Sequence, residues 1–139
     1  MTYYLPEILD QIAAAPSKEE QVKLLKENDT QTLRSILHFG LHPKYSKAFK
    51  IIPPYRADDA PYGYSTSNLS KVYQRLVYLF KEHPMYISSD KKRNDIASLM
   101  MESVHFTEAV LLEKILSREF NQITLSVAKE AFPEQFEGA

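Results

Sequence analysis

The chain has no cysteine at all, which excludes a disulfide scaffold, a thiolate zinc site and a cysteine nucleophile together. Glycine is nearly as scarce. Gly40, Gly63 and Gly138 are the only three, too scattered to build a phosphate-cradling loop. Neither sign of charge dominates: seventeen basic residues face eighteen acidic ones, for a net charge of -1. The whole chain therefore lacks the basic character that usually marks a non-specific grip on nucleic acid, although a local basic face can exist on a neutral total. No apolar run approaches the roughly 20 residues that span a bilayer, and the N-terminus lacks the basic-then-apolar order of a secretory signal. The expectation is a cytoplasmic chain with no membrane contact.

What remains is ordinary globular material with a helical rhythm. A length of 139 residues with 44% hydrophobic and 25% charged residues suits one self-sufficient core. Leu5, Ile8, Leu9, Ile12 and Ala13 make one apolar stripe, with Pro6 in a first-turn position where a missing N–H costs nothing. Ser17, followed by Glu20, reads as a capping box opening a second helix through Asn28. Asp29 or Thr30 caps a third, with Leu33, Ile36, Leu37 and Leu41 on its face and Gly40 placed to stop it. Pro43 can begin a short fourth helix through Tyr45, Ala48 and Phe49. Residues 51–67 form an irregular loop containing Pro53, Pro54, Pro61, three tyrosines and Asp58-Asp59. Beyond it Leu69, Val72, Tyr73, Leu76, Leu79, Phe80 and His83 form one wide stripe closed by Pro84. Ser89 or Asp90 caps a helix whose face is Ile96, Leu99, Met100, Ser103 and Val104. Thr107 caps the next, with Val110, Leu111, Leu112, the Lys114 stem, Ile115 and Leu116 inward. A last helix around Leu125 to Phe132 ends at Pro133, and residues 134–139 are expected to fray. The fold expected is all-α: one compact bundle of about seven or eight helices over residues 1–139.

Several of these pieces resemble one family. Ile8-Leu9-Asp10-Gln11-Ile12-Ala13 followed by Ser17-Lys18, then Lys26-Glu27-Asn28 with Leu33, are similar to the first two helical turns of the N-terminal DNA-binding domain of T-even-type phage ATP-dependent DNA ligases. Tyr45, Phe49 and Lys50 resemble the lead into that domain's long loop. Arg118-Glu119-Phe120 resembles its Arg-acid-hydrophobic step, and Ser126-Val127-Ala128 through Phe132-Pro133 its final helix. The resemblance implies a ligase-type DNA-binding module standing alone, because no Lys-x-Asp-Gly is present to take up AMP. It also implies a backbone-contacting role for Arg118. One departure stands out: the turn after the step is Asn121-Gln122-Ile123-Thr124, where the family has a glycine. A Cβ there obstructs close approach to phosphate. Either the DNA contact is reshaped, or this copy binds something else.

Candidate cations fall into three groups. Lys91, Lys92 and Arg93 open a helix, where free N–H groups also favour an anion. His42, Lys44, Lys47, Lys50 and Arg56 run past interleaved tyrosines, with Lys44, Lys47 and Lys50 as one helical row. Lys114 and Arg118 form an i,i+4 pair. Each group also has an ordinary reading as solvated surface. No enzyme constellation emerges. His38 and His42 have zinc-ligand spacing, but Gly40 and Pro43 interrupt them and no glutamate completes a metalloprotease motif. His83, His105 and the Met100-Met101 pair read as packing residues. The sequence thus points to a non-enzymatic, phage-type protein without metal or cofactor, acting in the host cytoplasm. Its expected partner is duplex DNA, nicked or intact, held by phosphates on the minor-groove side. The alternative is a protein-interaction adaptor for a replication or host factor. It is favoured by the neutral charge, the altered turn at 121–124 and the tyrosine-rich loop from Tyr55 to Tyr64.

Overall fold

Pro6, Ser17, Thr30 and Ser89 stand where the sequence places helix starts, and helices begin there. The computed structural model describes residues 4–58, 60 and 64–139; Asp59, Pro61, Tyr62 and Gly63 of the expected loop lie outside the described residues. Helix α1 (Leu5–Ala13) carries Pro6 in its first turn. Helix α2 (Lys18–Glu27) opens at Ser17, whose hydroxyl accepts the Glu20 N–H at 3.2 Å. Helix α3 (Gln31–Leu41) opens at Thr30, which accepts the Leu33 N–H at 3.1 Å. A single turn, α4 (Leu69–Val72), runs into a 3₁₀ segment over Tyr73–Tyr78. Helix α5 (Asp90–Ser103) is capped by Ser89, and α7 (Leu125–Ala131) by Thr124. Between them α6 (Phe106–Leu116) is capped by the His105 ring, not by the expected Thr107, whose own N–H goes to His105. A 3₁₀ turn over Pro133–Phe136 follows α7. The described residues contain no strand, and none of their helices is long and apolar enough to cross a membrane.

Helix α6 is the axis of the packing. Helices α1, α3 and α5 all lie against it, while α2 pairs with α7. Leu111, Leu112, Ile115 and Leu116 of α6 meet Leu9, Ile12, Leu33, Ile36 and Leu37 in one continuous apolar cluster that also takes in Leu76, Phe80, Met100 and Phe136. Burying each such side chain stabilises the fold by about 1.5–3 kcal/mol.

Five further expectations about local structure need correction. The segment after Pro43 is not helical. His42 precedes a proline and takes an extended ψ of 124°, as the proline ring demands of its predecessor. The chain is then pinned by the Ala48 N–H, which donates to the Leu116 carbonyl at 2.9 Å. Gly40 does not stop α3 but lies inside it. There a Cβ would stand 2.7 Å from Ile115 Cδ1 and 3.3 Å from Phe120 Cδ1, so the glycine permits close packing against α6. The stripe from Leu69 to Phe80 is buried as expected but breaks into α4 and the 3₁₀ segment; Val72, Tyr73, Val77 and Tyr78 are poor helix formers. Helix α5 is rotated from its expected face: Arg93, Ala97, Met100, Met101 and Val104 are buried, and Leu99 is 59% exposed.

The fifth correction concerns residues 134–139, which are docked, not frayed. Phe136 is 1% exposed. His38 donates from Nδ1 to the Gln135 carbonyl at 2.7 Å and accepts the Tyr45 hydroxyl at Nε2, 2.9 Å away. His42 donates from Nε2 to the Glu137 carbonyl at 2.9 Å, and its Nδ1 accepts the Lys44 N–H. Arg34 reaches Glu134 at 2.9 Å. Replacing Phe136 with Ala is expected to cost about 3–5 kcal/mol, as for other fully buried phenylalanines. The shift of the urea midpoint measures it; a loss below about 1 kcal/mol would mean the C-terminal segment contributes little.

Candidate functional site

The nine expected cations separate into two that serve the fold and seven that face outward. Arg118 is the clearest case of the first kind. It sits just past α6 with φ 60°, the only non-glycine residue with positive φ among the described residues. Its N–H donates to the Ile115 carbonyl at 3.2 Å and the following Glu119 N–H to the Lys114 carbonyl at 2.9 Å, the pairing that ends a helix through a left-handed residue. The guanidinium, half-buried, donates to the Phe39 carbonyl and, at 2.8 Å, to the His42 carbonyl. It therefore caps the C-terminal end of α3 and is not presented to a phosphate. Arg93 is likewise turned inward at 9% exposure. It donates to the Ile87 carbonyl at 2.6 Å, pairs with Asp90, and lies 4.6 Å over the Tyr86 ring. The trio at the start of α5 is thus reduced to exposed Lys91 and Lys92.

Of the remaining cations, three converge. Lys47, Lys50 and Lys114 line one surface hollow of about 390 Å³ with Val110, Glu113 and Glu119. None of the three lysines is in an ion pair among the described residues. Lys44 does not join the row expected of it; its ammonium lies 5.0 Å over the Tyr45 ring. Arg56 opens onto a separate hollow shared with Asp58 and Glu102, where opposite charge surrounds it. Against the two glutamates, the three convergent lysines leave a small positive excess. Glu113 also sits beside the Tyr55 hydroxyl, whose pKa is pushed up to about 12 by burial first and by the Glu113 charge second.

A second hollow, of about 240 Å³, adjoins the first and shares Val110 and Lys114 with it; Pro6, Asp10, Phe106 and Gln122 complete its wall. Phe106 is 50% exposed and Val110 43%. Phe106, Val110 and Lys114 are four apart and stand on one side of α6. Val110 was expected in the core, and Phe106 was assigned no role. The available signal is that seven of the eleven residues of α6 (FTEAVLLEKIL) are apolar, more than one buried face uses. Beside the cationic hollow, Ile51 is 84% exposed.

His38 and His42 do not form a metal pair: their four ring nitrogens are committed to Gln135, Tyr45, Glu137 and the Lys44 N–H. Glu108 is a buried titratable group that sequence reasoning missed, since nothing in the run Phe106-Thr107-Glu108 distinguishes it from a solvated first-turn acid. It is 2% exposed. One carboxyl oxygen accepts the Leu69 N–H at 3.2 Å, capping α4, and the other has no hydrogen-bond partner among the described residues. Burial raises its pKa from 4.5 to about 7, partly opposed by the Leu69 N–H.

An all-helical domain with an exposed, mixed apolar and cationic face is the class that fold and site define. The chain belongs to a family of unknown function, DUF6433, which matches residues 8–122. No curated protein matches it.

Two outcomes check this description. Arg118→Ala keeps the left-handed backbone and loses both carbonyl contacts, so it is expected to cost about 2–4 kcal/mol. Arg118→Gly loses the contacts but relieves the backbone, and should be the more stable of the two by about 1 kcal/mol. Chemical denaturation of both gives the order; equal stabilities would remove the backbone contribution. For Glu108, the unfolded chain releases its proton near 4.5 and the folded chain near 7, so the unfolded state binds fewer protons between these values. Stability contributed by this group therefore falls as pH rises through that window. Between about pH 5 and about pH 8 the wild type should lose about 2–3 kcal/mol relative to Glu108→Gln. Burial lowers the pKa of His38, so that residue works in the opposite direction, losing its contribution as pH falls through its folded value. Comparing variant with wild type cancels it, and parallel stability profiles would contradict the assignment.

Proposed function

We propose that the protein is a non-enzymatic protein-docking module, and that the outer side of α6, flanked by residues 47–52, is its docking face. One observation carries this: the half-exposed Phe106 and Val110 lead directly into Lys47, Lys50 and Lys114, none of which forms an ion pair among the described residues. Exposed apolar side chains joined to unpaired charge suit a protein surface, which supplies both apolar area and carboxylates. The adaptor role in a cytoplasm, the host's if the chain is phage-encoded, follows from the same reading.

Duplex-DNA binding draws on the same lysines and is the competing proposal. Seven of the nine expected cations face outward, and the resemblance to the phage ligase domain favours it. Against it, the arginine that resemblance would place on the DNA backbone holds two main-chain carbonyls instead, and phosphates gain nothing from Phe106 or Val110. The test has two arms. Capture from nuclease-treated extract is expected to retain a protein on the wild type that Val110→Glu loses. Anisotropy on nicked and intact duplex is expected to show no saturable binding at physiological salt. Salt-dependent duplex binding with a log–log slope of about -3 or steeper, abolished by charge reversal at Lys47, Lys50 and Lys114, would transfer the function to DNA.

A further inference from the structure

A separate hollow of about 380 Å³ opens between the start of α1, the start of α3 and α4. Its size falls within the range of about 300–1,000 Å³ usual for small-molecule sites, and it shares no residue with the two hollows beside Val110. Leu5, Ile8 and Leu69 give it apolar walls, exposed Thr30 and Ser70 stand at its mouth, and buried Glu108 belongs to its inner wall. Every other lining side chain is uncharged. Glu108 Oε2 accepts the Leu69 N–H, while Oε1, closed to bulk solvent, has no hydrogen-bond partner among the described residues. The fold thus uses one carboxyl oxygen and leaves the other as an unspent acceptor.

We infer that this hollow binds a small amine, its ammonium on Glu108 Oε1 and its apolar stem against Leu5, Ile8 and Leu69. A buried acceptor without a donor is a standing cost of the folded state, and a larger one when it is charged. A ligand that brings a donor to Oε1 removes that cost. An ammonium does more than a hydroxyl, because it also stabilises the ionised carboxyl that burial disfavours. A carboxylate or phosphate is repelled by the same charge, and no lysine or arginine lines the hollow to receive one. A wholly apolar ligand would cover the walls and leave Oε1 as it was. The docking face on α6 plays no part in this site.

The test is two-dimensional amide NMR of the full chain, titrated with hexylamine, cyclohexylmethylamine and phenethylamine, each beside its alcohol and carboxylate counterparts. At least one amine is expected to shift the amides of Leu69, Ser70 and Glu108 saturably and to bind at least about tenfold more tightly than its alcohol, with the carboxylates leaving these amides unmoved. Glu108→Gln keeps an oxygen for the Leu69 N–H and loses the charge. Its amide dispersion should match wild type, and it should bind the amine at least about tenfold more weakly with alcohol binding unchanged. Equal binding of alcohol and amine, an amine affinity unmoved by Glu108→Gln, or shifts confined to other amides would overturn the site and leave Glu108 as a cap on α4. The absence of saturable shifts with all the amines would do the same. A terminally blocked lysine peptide is the last arm: tighter binding than that of every free amine would overturn the small-molecule ligand and assign the ammonium to a protein side chain.

Discussion

Arg118 ties together the parts of this molecule that have no reason of their own to meet. The backbone at that position adopts φ 60°, a conformation that costs a side-chain-bearing residue about 1–2 kcal/mol. What holds it is the guanidinium on the Phe39 and His42 carbonyls. Both are carbonyls at the C-terminal end of α3 without helical partners, and the His42 carbonyl also accepts the Tyr45 N–H at 3.3 Å. One side chain thus closes the end of α6, through its own backbone, and the end of α3, through its head. The reversal of direction after α6 delivers Phe120 against Gly40, where an added Cβ would stand 3.3 Å from the Phe120 ring and press on it. It also fixes His42, from which the neighbouring segment takes its position.

From His42 the consequences run in both directions along the chain. The extended residue before Pro43 swings Tyr45 inward to 4% exposure, among His38, Phe39 and Phe80. The two imidazoles then hold the C-terminal segment by its own backbone carbonyls. Polar groups within an apolar core are tolerated because each donor finds an acceptor, and the same burial lowers the pKa of His38. Its tautomer follows from the partners: a carbonyl at Nδ1 requires the proton there, leaving Nε2 to accept from Tyr45. A latch of this kind specifies geometry more than it adds energy, because net hydrogen-bond contributions are about 1 kcal/mol each.

What could be read in the sequence was local, and what could not be read was relational. Pro6, Ser17, Thr30 and Ser89 announce helix starts because capping is decided within a single turn. The all-helical class follows from them and from the spacing of leucines. Nothing local says that Gly40 will receive Phe120, that Tyr45 will leave the helical pattern to join His38, or that Phe136 will anchor the last residues. Those outcomes depend on which helix packs where. Helix α5 shows the limit well. Ile96, Leu99 and Met100 make as good a stripe as Ala97, Met100 and Met101, and in the fold the second set is buried, with Arg93 stacked on Tyr86. The same limit governs the site: Lys47, Lys50 and Lys114 were recognisable as cations, but their convergence was not. Arg93 and Arg118 looked identical to surface arginines.

The exposed side of α6 has to be weighed against the ordinary roughness of protein surfaces, since isolated exposed apolar residues need no explanation. Phe106 and Val110 are not isolated. They share one helical stripe with Lys114, and that lysine meets two others from a different segment of the chain. A net charge of -1 adds no whole-molecule attraction for a polyanion, so any such pull would come from the local grouping alone. Contact at this place brings apolar surface with it. Burying the exposed parts of Phe106 and Val110 beside the lysines favours a partner whose own surface combines apolar groups with polar ones. A phosphate backbone supplies the second without the first, which is why the same three ammonium groups carry more weight in a protein interface than in a DNA one.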